Sequence, residues 1–193
     1  MLMQIISFLL EVAYSLLAGS CVLRLAMQRL RVSFANPAGR FVMALSNWIV
    51  LPLRKALPSL AGWDTASLVA ALLLALLHQA LLWGAAVLLA GAGAPAAVPL
   101  LVLAVFDLLR LLLGGLFGLL LLSAVLSWVQ GGSAMNVMGH LAEQLCAPLL
   151  RPLRRLLPLV GGIDLAPLAA MVLVQIAQML LGGLQATVLR AVG

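Results

Sequence analysis

Pro52-Leu53-Arg54-Lys55-Ala56-Leu57-Pro58, then Gly62-Trp63-Asp64, stands at the mouth of a long apolar run, and 100 residues later the chain repeats it. The second copy reads Pro152-Leu153-Arg154-Arg155-Leu156-Leu157-Pro158, then Gly162-Ile163-Asp164. Between 52–68 and 152–168, nine of 17 positions are identical. Leu matches are cheap in so Leu-rich a chain. Pro, Arg, Pro, Gly and Asp at fixed offsets are not, so the sequence reads as an internal duplication. It divides the chain into 1–95 and 96–193, two repeats expected to share one plan.

The 193 residues are 65% hydrophobic and only 8% charged, against roughly 25% charged in soluble domains. Four stretches, 2–23, 65–90, 98–129 and 165–189, reach the ~20 apolar residues a spanning helix needs. The runs 68–77 and 111–122 are continuously apolar, without the alternation of a β-barrel strand. The expected fold is an all-α membrane protein with four transmembrane helices, arranged as two two-helix repeats. No basic segment precedes the first apolar run, so 2–23 reads as a retained anchor and not a removed signal. Cys21 and Cys146 stand alone, without metal-ligand spacing.

Charge sets the expected topology. Arg24, Arg29, Arg31, Arg40, Arg54 and Lys55 lie between the first and second spans, and Arg151, Arg154 and Arg155 between the third and fourth. The connection 91–97 carries no charge. The positive-inside rule places both basic loops in the cytoplasm and both termini outside. An even number of spans per repeat makes the repeats parallel, not inverted. The net charge of +6 is dispersed along membrane boundaries, which points to anionic lipid headgroups and not to direct nucleic-acid binding.

The basic loops are far from polar. Phe41, Val42, Leu45 and Trp48 surround Arg40 and Asn47 in the first; Leu141, Leu145 and Leu149 recur at i, i+4, i+8 beside His140, Glu143 and Gln144 in the second. Both predict amphipathic helices lying in the cytoplasmic interface, with Trp48 at headgroup depth. Pro52 and Pro152 suit the first position of a short helical turn, and Pro58 and Pro158 its end. Gly62 and Gly162 suit a bend, and Asp64 and Asp164 the N-cap of the following span. Two readings follow. In one, the element is a re-entry elbow whose Arg54, Lys55, Arg154 and Arg155 reach headgroups. In the other, Arg54 pairs with Asp64 and Arg154 with Asp164, forming a polar platform that docks a partner or gates a path.

Polar groups at membrane depth are functional candidates by default. Here they are Glu11, His78, Gln175 and Gln178, with His78 and Gln178 at the same 100-residue offset. Gln175, Gln178 and Gln185 share a helical face expected to point inward. These groups are either interhelical hydrogen-bond glue or members of a hydrated proton or cation path titrating at Glu11 and His78. Asp107 and Arg110 are spaced to pair at the outer interface, and Gly114 and Gly118 form a GxxxG suited to close helix packing. At the 100-residue offset Glu11 has Leu111 as its counterpart and Asp107 has Ser7, so an activity peculiar to one half should sit at those unmatched positions. No Ser-His-Asp arrangement, phosphate-cradling loop or metal cluster is present in the sequence; neither an enzyme nor a cofactor is expected.

The repeat resembles that of the YggT (YlmG) family of integral membrane proteins. The residues that carry the resemblance are Leu23-Arg24-Leu25, Asn36-Pro37, and Pro52-Leu53-Arg54-Lys55 with Pro58, Gly62 and Asp64. In the second half they are Leu126-Ser127-Trp128-Val129, Asn136, the run from Pro148 to Arg155, Pro158, and Gly161-Gly162-Ile163-Asp164-Leu165-Ala166-Pro167-Leu168. Val137 departs from the family's Asn-Pro pair, Ala124 stands where an Arg is frequent, and Trp48 where a Pro is. The resemblance implies a small bacterial inner-membrane protein, tied by its relatives to osmotic stress, ion uptake, division-site neighbourhoods and plastid cytochrome assembly. That spread suits a non-catalytic scaffold or assembly factor with membrane-protein partners; the alternative it implies is an oligomeric channel or accessory for cation uptake.

Overall fold

Among the described residues the chain builds six helices and no strand, four of the helices from long Leu- and Ala-rich runs and two from the basic segments between them. They are α1 (Leu2–Arg29), α2 (Pro37–Ala56), α3 (Thr65–Ala90), α4 (Ala97–Trp128), α5 (Ser133–Leu156) and α6 (Ala166–Val192). The computed structural model describes residues 1–57, 64–91, 93, 97–128, 133–156 and 164–192. Pro58, Gly62, Pro158 and Gly162 therefore lie outside the described residues. α1, α3, α4 and α6 are each long and apolar enough to cross a membrane. α1 runs six residues past the expected end at 23, so Arg24 belongs to the helix and not to the loop.

Local chemistry fixes the boundaries. α1 closes with the Val32 N–H donating to Met27 O and the Arg31 N–H to Gln28 O, a Schellman cap. Arg31 takes the left-handed conformation this cap needs (φ 55°), and the Met27–Val32 contact beneath it is buried. α2 opens on Asn36, whose Oδ1 accepts the Gly39 N–H at 2.7 Å, with Pro37 at the first helical position. Such a cap contributes about 1 kcal/mol. α3 ends on Gly91 in the left-handed region (φ 64°). One expectation fails here. Pro52 and Pro152 do not start short turns; both lie inside helices, as does Pro148. A proline removes one backbone hydrogen bond, and these helices continue through it because each is packed on its spans along one face.

The two halves share a packing plan. α1 packs on α3 and α4 on α6; α2 lies against α1 and α3, and α5 against α4 and α6. Buried positions keep the 100-residue register: Val50 and Leu150, Ala66 and Ala166, Ala70 and Ala170, Leu74 and Val174. Small residues on α3 and α6 let α2 and α5 seat closely at the start of each span. The halves join where α4 meets α3 and, less extensively, α1. A third apolar cluster ties α1 and α2 to α5 through Met27, Val42, Leu141 and Leu145.

Candidate functional site

The repeated Arg and Asp meet in both halves. Arg54 donates from Nη2 to Asp64 Oδ2 at 2.5 Å and from Nε to Oδ1 at 3.3 Å, the two-pronged geometry a guanidinium offers a carboxylate. Arg154 donates from Nε to Asp164 Oδ2 at 2.8 Å. Each bond ties the C-terminal end of α2 or α5 to the start of the following span. Lys55 and Arg155, next in sequence, point outward and are exposed.

The clamps differ in depth. Asp64 is 3% exposed and lies 3.9 Å from the Nε of Arg24, itself buried in α1. Arg24 donates from Nη1 to Ser46 Oγ at 2.9 Å and to Asn47 Oδ1 at 2.8 Å. The Ser67 hydroxyl donates to Asp64 Oδ2 at 2.6 Å, and Arg54 also donates to Gln28 Oε1 at 2.9 Å. One carboxylate thus serves two guanidiniums and joins α1, α2 and α3. Asp64 stands at the N-cap of α3 as expected, but its side chain makes no capping hydrogen bond; its oxygens accept from Arg54 and Ser67 instead. Burial pushes the Asp64 carboxyl up; the hydrogen bonds from Arg54 and Ser67 and the Arg54 charge outweigh that and hold it below the usual carboxylate range.

The second clamp is open. Arg154 and Asp164 have side chains 43% and 34% exposed. At the offsets of Arg24, Ser46 and Asn47 stand Ala124, Cys146 and Ala147, so the buried polar layer is gone and Cys146 packs in apolar surroundings that push its thiol up to about 11. Arg154 instead turns its Nη1 to Glu143 Oε1 at 2.9 Å. Burial alone would lower the Arg154 guanidinium; hydrogen bonds to Glu143 and Asp164 reverse this and hold it above its ordinary value. Asp164 does cap its span, accepting the Ala166 N–H at 2.9 Å.

A second polar cluster lies at mid-span. His78, at the middle of α3 and 5% exposed, sits between two carboxylates. Its Nε2 is 3.5 Å from Glu11 Oε2 on α1, and its Nδ1 is 3.4 Å from Asp107 Oδ2 on α4. Tyr14 stacks on the imidazole, ring centroids 4.6 Å apart and planes within 8°. Gln79 donates from Nε2 to Asp107. Asp107 therefore belongs to the interior of the bundle beside the midpoint of α3, and not to an interfacial pair with Arg110, because α4 presents it to α3. A cleft of about 880 Å³ between α1 and α4 runs from Glu11, Tyr14, Asp107 and Arg110 to Ala26, Leu122 and Leu145. Gly114 and Gly118 line it with open space where a Cβ would stand, so this GxxxG floors a cleft instead of packing against a helix.

The expected polar stripe on α6 does not form. Gln175 is exposed, Gln178 half-buried, and Gln185 alone of the three is buried. Two features escaped sequence reasoning. Arg24 read as a loop charge, because it directly follows the apolar run 2–23, whereas α1 continues to Arg29 and buries it. Tyr14, the single tyrosine, lies three residues after Glu11 on the same helix face.

A family model described as CCB3/YggT matches this chain over residues 3–85 and 102–185, one segment in each half. An uncharacterized protein of Vibrio alginolyticus is 33% identical over 182 residues, covering 93% of this chain and 95% of the relative. An uncharacterized protein of Pseudomonas aeruginosa is 35% identical over 174 residues, 90% of this chain and 86% of the relative. The uncharacterized protein YggT of Escherichia coli is 34% identical over 179 residues, 92% and 89% of the two chains. No solved structure matches.

Proposed function

The chain belongs to the CCB3/YggT family, and from that premise we propose that it is a non-enzymatic scaffold of a bacterial inner membrane, serving the envelope under osmotic stress. One observation carries the reading: α2 is clamped to its spans along one face while the other presents Phe41 (58% exposed), Trp48 (57%) and Leu51 (50%) beside exposed Arg40 and Lys55. Aromatic, aliphatic and cationic side chains on one helix face suit the boundary between acyl chains and anionic headgroups. α5 has the same mount and a different outward face, with His140, Glu143, Gln144 and Arg151 exposed. That face suits a polar partner segment of another membrane protein. In this reading both basic loops are cytoplasmic, both termini are periplasmic, and no cofactor takes part.

The mid-span cluster and its cleft favour one alternative, an oligomeric channel or accessory for cation uptake. Purified protein in liposomes separates the two. A scaffold leaves K⁺ and Na⁺ leakage at the level of protein-free liposomes. Flux that Glu11→Gln or His78→Gln abolishes would replace the scaffold with the channel.

A further inference from the structure

We propose that Glu11, His78 and Asp107 form a proton-binding site inside the membrane, loaded and emptied through the α1–α4 cleft. A neutral imidazole carries one N–H and one bare lone pair. His78 has a carboxylate oxygen 3.5 Å from one ring nitrogen and 3.4 Å from the other. With both carboxylates ionised, the bare nitrogen faces negative charge. The arrangement is satisfied when one more proton is present, on the ring or on a carboxyl group. A second proton makes the three groups neutral together. A buried ring nitrogen left without a partner is costly, and a proton between ring and carboxylate supplies the missing hydrogen bond.

The surroundings fit exchange better than storage. Neither ring nitrogen has a hydrogen-bond partner meeting full geometry, so nothing pins the tautomer and the ring can serve either carboxylate. Tyr14 covers one ring face, and its buried hydroxyl is likewise unpartnered. Glu11, with a side chain 64% exposed, opens to the cleft, which leads toward the end of the bundle where α5 sits. Among the described residues, the ionisable groups against the ring are Glu11 and Tyr14 from α1 and Asp107 from α4, with Arg110 of α4 lining the cleft; α3 adds the neutral Gln79, which donates to Asp107. Protons enter from and return to water, so the site exchanges charge without any chemical step.

The test is pH-difference infrared spectroscopy of the full-length protein in liposomes. The chain has five carboxylic side chains, so bands are assignable by substitution. The native protein should show a carboxylic C=O band that titrates, is lost in Glu11→Gln or Asp107→Asn, and shifts in His78→Gln. Glu11→Gln, at an exposed side chain, keeps the test open where Asp107→Asn fails to fold. Native difference spectra from all three folded variants would overturn the site. This outcome is independent of ion flux, so the site and the scaffold reading stand or fall separately.

Discussion

Asp64→Asn is expected to destabilise the protein by about 3–5 kcal/mol, the cost of removing one partner from a buried ion pair. The substitution is nearly isosteric, so no cavity contributes. It leaves Arg24 buried with only Ser46 and Asn47 as acceptors and removes the two-pronged anchor of Arg54. Asp164→Asn, at the same place in the second half, should cost under about 1 kcal/mol, as partly exposed pairs do. Unfolding of both variants in detergent, followed by helical signal, checks the contrast; equal losses would mean that the two clamps are energetically alike. The pH dependence has a definite sign. Folding depresses the Asp64 carboxyl, so its contribution is complete above the usual carboxylate range and is lost as pH falls through the folded value. That acid-side loss should be missing from Asp64→Asn.

Gly39→Ala is the second large effect, at about 1–3 kcal/mol. A Cβ at Gly39 would stand 2.6 Å from the Cα and the carbonyl oxygen of Phe34 and 2.8 Å from its carbonyl carbon. These are backbone atoms and cannot swing aside. The segment entering α2 must move, and with it the Asn36 cap. Gly114→Ala is the matched control, because a Cβ there meets nothing within 4 Å. Thermal unfolding should separate the two, with Gly114→Ala close to native; equal midpoints would mean that the entry to α2 yields without cost.

What the sequence made legible follows from where each interaction lives. Spans are properties of local composition, so all four apolar runs became helices with ends within a few residues, α1 excepted. The Arg54–Asp64 and Arg154–Asp164 pairs were readable as one of two options because both partners lie within ten residues and recur. Arg24 was misplaced because a charge near an apolar boundary gives the same signal whether it faces headgroups or a buried carboxylate. Asp107 was assigned to Arg110 by helix spacing, yet its partners come from α3, and the register between α3 and α4 is set by packing that no local pattern encodes. Glu11 and Asp107 were singled out as unmatched positions, and the fold brings those two to one imidazole.

The asymmetry between the halves follows from the same comparison. The first clamp sets one buried carboxylate between a buried guanidinium, Arg24, and a partly exposed one, Arg54; the second gathers one guanidinium and two carboxylates, all partly exposed. The second half has exchanged Arg24, Ser46 and Asn47 for Ala124, Cys146 and Ala147. A rigid first half holding α2 against lipid, and an open second half offering α5, is the division of labour we infer for the scaffold.

Such a scaffold requires α2 to be mounted at the surface of the bilayer. The most direct test is a protein whose sole tryptophan is Trp48, made by replacing Trp63, Trp83 and Trp128 with Phe, in vesicles of phosphatidylethanolamine and phosphatidylglycerol. Trp48 fluorescence should be quenched most by lipids brominated near the headgroup end of the acyl chain, and little by aqueous iodide. Free quenching by iodide with none by brominated lipid would place α2 in water and contradict the account.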